Sequence, residues 1–126
     1  MPGVNPGVNR GANPESSDEQ QARNEVSLMG RLAADPVSTE LPSGDVVVSL
    51  RVIVDRDIRA RRPPSVDTID CCAWSPRARR SVSSWHPGDI VEIEGALRRR
   101  FWQGSTGPAS RYEVEVRKAR RVSRAA

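Results

Sequence analysis

"EIEGALRRRFWQG", residues 92–104, decides how this chain is read. It alternates polar and apolar residues, runs into Arg98, Arg99 and Arg100, and then meets Phe101 and Trp102. Aromatic residues number only five in 126, so two of them beside three arginines form a concentration. Alternation with period two is the mark of a strand whose neighbouring side chains point to opposite faces. Val91, Ile93, Gly95 and Leu97 take the inward phase, and Arg98, Arg100 and Trp102 the outward one. Arg99 and Phe101 keep the inward phase, so Phe101 is expected in a core or an interface, and Tyr112 in the core. Guanidinium groups fork onto phosphate and stack on rings, so such a face suits a polyanion that carries flat groups.

The same alternation extends in both directions. "VSLMGRLAA" sets Val26, Leu28 and Leu32 against Ser27, Met29 and Arg31, and Asp35-Pro36 breaks it. After the turn "LPSGD", "VVVSLRVIV" places Val46, Val48, Leu50, Val52 and Val54 on one face. The arginine-rich "DRDIRARRPPS" interrupts, and its prolines end the strand. In "VDTIDCCAW", Ile69, Cys71 and Ala73 point inward, leaving Thr68, Asp70, Cys72 and Trp74 outward. "SPRARRSVSSWHPG" reads as a short helix with Ser75 as N-cap, Pro76 at its first position and Pro87-Gly88 at its end. Trp85 is expected in the core or at a subunit contact, His86 at the helix end, and Arg77, Arg79 and Arg80 on a solvated helix face. "DIVEIEGALRRRFW" is a long strand, "QGSTGPAS" a loop and "RYEVEVRKARRV" the last strand. The expectation is all-β: a five-stranded closed barrel of the oligonucleotide-binding (OB) type, with one short helix between strands three and four.

Length bounds the chain to one domain. Residues 1–25 carry two arginines and four acids, while the rest carries eighteen basic residues against twelve acids. A basic domain behind a mildly acidic head suits an anionic partner. Residues 1–23, with "PGVN" twice and little apolar content, are expected to be a disordered extension, residues 24–122 the folded domain and 123–126 a short tail. Cys71 and Cys72 are adjacent on a strand and point apart, so they are expected to be reduced thiols. Two cysteines and the single His86 do not complete a four-ligand zinc site, and no metal or cofactor is expected. There is no membrane-length apolar stretch and no h-region behind a basic start, which points to the cytoplasm. No phosphate-cradling glycine loop and no Ser-His-Asp motif is found, so the reading is not an enzyme.

Four pieces, in order, resemble the bacterial single-stranded-DNA-binding protein family, SSB. "NEVSLMGRLAADP" is similar to the family's first strand through Asn24, Val26, Leu28, Gly30, Leu32, Asp35 and Pro36. "SGDVVVSLRVIVDR" resembles its turn and second strand. "PGDIVEIEGALRRRFW" resembles its signature through Gly88, Val91, Ile93, Glu94, Gly95, Leu97, Arg100 and Trp102, and "RYEVEV" fits the fifth strand. The resemblance spans residues 24–122. It implies an OB-fold, a homotetramer or dimer, and sequence-tolerant coating of single-stranded DNA in replication, repair and recombination, at the nucleoid. Trp74 and Trp102 fall where the family carries stacking aromatics. The loop between strands two and three, which the family uses against DNA, here holds Arg56, Arg59, Arg61 and Arg62. With Arg98, Arg100 and the outward Arg31, these form the candidate single-stranded-DNA-binding set.

The chain departs from the family's pattern in three places. Thr68 stands where a tryptophan is common, and charged residues around Arg56 and Asp57 where another aromatic is common. Asp70 would face the nucleic acid and repel phosphate. The ending "RRVSRAA" is basic, where the family typically closes on an acidic tail that recruits partner enzymes; the expectation is an accessory or paralogous member that does not recruit partners that way. Binding that leans on charge implies a steep salt dependence, about 0.7 in slope per phosphate neutralised on single strands. Two other functions fit the same barrel: a protein-interaction module of a replication or primosome assembly, and a binder of structured RNA.

Overall fold

The structure, a computed structural model, describes residues 21–56 and 65–126. Within them the order is β1 (Val26–Leu32), β2 (Val37–Glu40), β3 (Val46–Asp55), β4 (Val66–Ala73), α1 (Pro76–Ser83), β5 (Ile90–Gly104) and β6 (Gly107–Ser123). β1 runs antiparallel to β5, β5 antiparallel to β6, β6 parallel to β4, and β4 antiparallel to β3. β3 returns to β1 through Arg31↔Ile53 and Leu32↔Val52, which closes a ring of five strands. The all-β barrel with one short helix is therefore as expected. The sixth strand, β2, is an addition: it lies outside the ring, paired only with β3 from Val37↔Ser49 to Glu40↔Val46. All four of its residues are exposed, so it carries no alternation of polar and apolar residues.

The inward phases meet in one core. Leu32, Val52, Val91 and Ile93 are almost wholly buried, with Leu50, Cys71, Ala73, Val114 and Val116 beside them. α1 covers this cluster with Ala78 and Val82, and Trp85 joins it as a core residue. Burial of each large apolar side chain contributes about 1.5–3 kcal/mol. The Ser75 hydroxyl accepts from the Ala78 amide at 3.1 Å, the expected N-cap, and the helix stops at Ser83, before the Pro87-Gly88 turn. The Gly88 amide closes that turn on the Leu32 carbonyl at 2.8 Å. Asp89 is buried there, where its carboxylate accepts from the amides of His86 and Ala125 and faces Arg121. These donors hold its acidity below the usual carboxylate range: the His86 and Ala125 amides act most strongly, and burial opposes them.

Two β6 residues interrupt the β5–β6 ladder. The register passes from Ile90↔Ser123 to Val91↔Arg121, and from Glu94↔Lys118 to Gly95↔Val116. Each skip is a bulge that bends the pair and helps it curl around the core. At the second, a Cβ on Gly95 would fall on the Glu115 carbonyl oxygen, so only glycine permits this approach. Beyond Gly95, β5 leaves β1 behind. The Asn24 side chain takes over for one more residue, donating to the Leu97 carbonyl at 2.7 Å and accepting its amide at 2.8 Å. From Arg98 onward β5 pairs with β6 alone, down to Gly104↔Gly107. The expected loop "QGSTGPAS" is thus a two-residue turn, Ser105-Thr106, with Gly107 at positive φ, and strand pairing continues on both sides of it. Residues 98–113 form a two-stranded arm.

The arm explains three residues that take the inward phase but do not join the core, which leaves the interface as the expectation for Phe101. Leu97, Phe101 and Tyr112 keep the inward phase but lie past the end of the barrel, where there is no interior to fill. They are 46%, 71% and 58% exposed. The Arg99 guanidinium lies between the two rings, 5.0 Å from the centre of Phe101 and 5.4 Å from that of Tyr112.

Candidate nucleic-acid interface

The outward face of the arm meets the end of β4. Trp74 is half-buried just past β4, and Trp102 is 45% exposed near the arm's tip. The Arg100 guanidinium stands 5.7 Å from the Trp74 ring, and the Arg111 guanidinium 5.9 Å from the Trp102 ring, both within cation–π range. Between the two arginines lies the buried carboxylate of Glu113: Arg100 Nη1 donates to Oε2 at 3.3 Å, and Arg111 Nε is paired with Oε1 at 3.4 Å. One continuous run, Trp74–Arg100–Glu113–Arg111–Trp102, joins the two indoles. Arg98 is on the same face and donates to Glu115 at 2.8 Å.

Of the expected residues, the structure gathers Trp74, Trp102, Arg98 and Arg100 on one face. Arg31 and Arg56 lie elsewhere, at the loop end of β3 and β4, where they pair with Asp55 at 3.2 Å and Asp67 at 2.8 Å. Asp67 and Trp74 stand seven residues apart along β4, about 23 Å at the usual strand rise. The side-chain hydrogen bond to Asp67, with its charge, raises the Arg56 pKa further above an already high value. Arg59, Arg61 and Arg62, and most of the expected N-terminal extension, lie outside the described residues. Asp70 does face outward, but Arg51 is paired with it at 3.2 Å, so its charge is partnered.

Two cations on this surface escaped the sequence reading. Arg51 is in the outward phase of β3 and was legible from the alternation of "VVVSLRVIV". Arg111 became a partner of Arg100 only through the two-residue turn, which sets Arg100↔Arg111 in register. The spacing of Gly104 and Gly107 was its one signal. The acids were missed as partners altogether. On this surface Arg51, Arg98, Arg100 and Arg111 stand against Asp70, Glu115 and Glu113, and at the loop end Arg31 and Arg56 stand against Asp55 and Asp67, so among the described residues the free positive charge is below the arginine count.

Cys72 also takes the outward phase but is buried under this cluster, while Cys71 joins the core; both are free thiols. Burial, then neighbouring carboxylates, push both thiols up to about 12; Asp70 and Glu113 act on Cys71, and Glu113 by hydrogen bond and charge on Cys72. They stay protonated at neutral pH, with little capacity as nucleophiles. No helix among the described residues is long and apolar enough to cross a membrane.

A closed five-stranded barrel with an arm beside its third strand, carrying rings and guanidiniums on one face, defines an OB-fold protein. Residues 23–123 match the model of the single-strand binding protein family, and the chain belongs to that family. Among its relatives, the single-stranded DNA-binding protein of Deinococcus radiodurans is 33% identical over 68% of this chain and 29% of the relative. That of Oceanobacillus iheyensis is 29% identical over 74% of this chain and 58% of the relative. Single-stranded DNA-binding protein 3 of Clostridium acetobutylicum is 28% identical over 74% of this chain and 65% of the relative. The match thus spans between about a third and two thirds of these curated relatives. The solved Plasmodium falciparum SSB complex with ssDNA shares the fold, with a TM-score of 0.70 at 18% identity, over 82% of this chain and 98% of that one.

Proposed function

We propose that this protein binds single-stranded DNA without strong sequence preference and protects it during replication, repair or recombination. The observation that carries this reading is the run from Trp74 through Arg100, Glu113 and Arg111 to Trp102. It offers two ring platforms for unstacked bases and, between them, guanidinium donors for the phosphates that link the bases. Rings accept any base, since every base has a π-face, and stacking contributes about 1–3 kcal/mol per base. Family membership supports the same reading. Residues 24–122 are the binding domain, Arg98 joins the contact, and Arg31, Arg56 and the loop arginines Arg59, Arg61 and Arg62 extend the path of the strand. The protein works as a homo-oligomer, a tetramer or a dimer, in the cytoplasm at the nucleoid, and its role is binding, not catalysis.

Fluorescence titration with dT oligonucleotides and duplex DNA at two salt concentrations tests the proposal. The parent is expected to prefer dT, and Trp102→Ala and Trp74→Ala each to weaken binding by about 1–3 kcal/mol. Equal binding of duplex and dT would overturn the single-strand reading; unaltered binding by both variants would overturn the site. Preference for folded RNA, or capture of a replication protein without dT binding, would transfer the surface to another function.

A further inference from the structure

A surface that meets phosphate has no evident use for a buried carboxylate, yet Glu113 is 3% exposed at its centre. A buried charge is costly unless it is paired and hydrogen-bonded. Glu113 is paired twice, one oxygen to Arg100 and the other to Arg111. Those two arginines are direct cross-strand partners in the arm, and like charges in that position repel. Each lies against a tryptophan.

We infer that Glu113 is a positioning residue for single-strand binding: its carboxylate offsets the repulsion between Arg100 and Arg111 and holds each guanidinium beside its indole before the ligand arrives. The inference rests on the proposed function and deepens it. Each guanidinium carries five N–H donors, and Glu113 engages only one nitrogen of each, so most donors remain for phosphate. Because Glu113 is buried, it does not swing out to compete. Glu115, one pleat away, is different: it is partly exposed and, among the described residues, pairs with Arg98 alone, so it competes with phosphate for that arginine.

The two acids therefore have opposite expected effects although both changes add one positive charge. Glu113→Gln keeps the shape of the side chain and loses the charge. It is expected to weaken binding to a dT oligonucleotide about five- to tenfold, the ordering cost of two long side chains no longer held. Glu115→Gln is expected to strengthen binding. In the Glu113→Gln background, Arg100→Ala should cost a smaller factor than in the parent, a coupling that a merely structural role does not produce. Circular dichroism and thermal melting check that each variant is folded. If Glu113→Gln fails to fold, the cycle of Arg100→Ala and Arg111→Ala with Glu113 in place tests the same claim: coupling of at least about threefold is expected, and independent effects would overturn it. Equal or tighter binding by a folded Glu113→Gln would overturn it too. If the parent itself fails to bind dT, the single-strand reading falls; if the parent binds and Glu113→Gln matches it, only the role of Glu113 falls.

Discussion

Replacing Glu115 by Gln removes the carboxylate that holds Arg98 and changes little else. The pair is 2.8 Å long, with Arg98 53% and Glu115 32% exposed. Exposed ion pairs contribute about 0.2–1 kcal/mol. If phosphate must displace Glu115 to reach Arg98, freeing the arginine raises affinity by at most that amount, about fivefold at the upper end. The salt dependence is the sharper readout. In the parent, a phosphate that takes Arg98 sheds its counterion, but the displaced carboxylate gathers one in return. Without Glu115 that compensation disappears, so the slope of log affinity against log salt becomes more negative by about 0.7. Anisotropy of a labelled dT oligonucleotide, titrated from about 0.05 to 0.4 M salt, measures both quantities. Glu40→Gln on the exposed edge strand β2 adds the same charge away from the face and serves as the control. An unchanged slope in Glu115→Gln, or one that moves no more than in the control, would mean that no phosphate displaces Glu115 from Arg98. The same reasoning gives the parent a shallower slope than its arginines alone would suggest, because eight of them among the described residues already hold carboxylates.

Gly95→Ala is expected to lower the melting temperature, by about 1–3 kcal/mol of stability or more, since its Cβ meets β6 backbone and not a flexible side chain; a melt equal to the parent's would show that the bulge relaxes freely. Asp89→Asn is expected to destabilise the fold near neutral pH. The folded-state pKa of Asp89 is depressed, so its contribution is full above the ordinary carboxylate range and is lost as pH falls through that lowered pKa. The melting difference between parent and variant should therefore shrink in acid, and a gap independent of pH would count against the charge as its cause. Cys71 and Cys72, with pKa values near 12, should resist iodoacetamide at pH 8 in the folded protein and react once it is unfolded; rapid labelling of the native state would contradict their burial.

The barrel was legible because its strands each bury one face, and Val46 to Val54 or Val91 to Ile93 write that asymmetry as alternation. β2 was not, since a strand exposed at every position writes nothing. The shared face of Trp74 and Trp102 followed from phase alone. Its charge balance did not, because phase says which face a residue takes and not which neighbour it meets. Glu113 has Arg111 two residues away on its own strand in any register, but it reaches Arg100 only in the one that Gly104 and Gly107 set. Leu97, Phe101 and Tyr112 mark the other limit: alternation continues past the point where the barrel ends, and the sequence carries no sign of that point.

The bulge opposite Gly95 also sets the direction in which the arm leaves the barrel. Seven residues separate it from Trp102, about 23 Å of strand, so a change of about 10° in the bend there would carry the indole some 4 Å sideways. The aim of the outer ring is thus governed far from the ring itself, by the absence of a single methyl group.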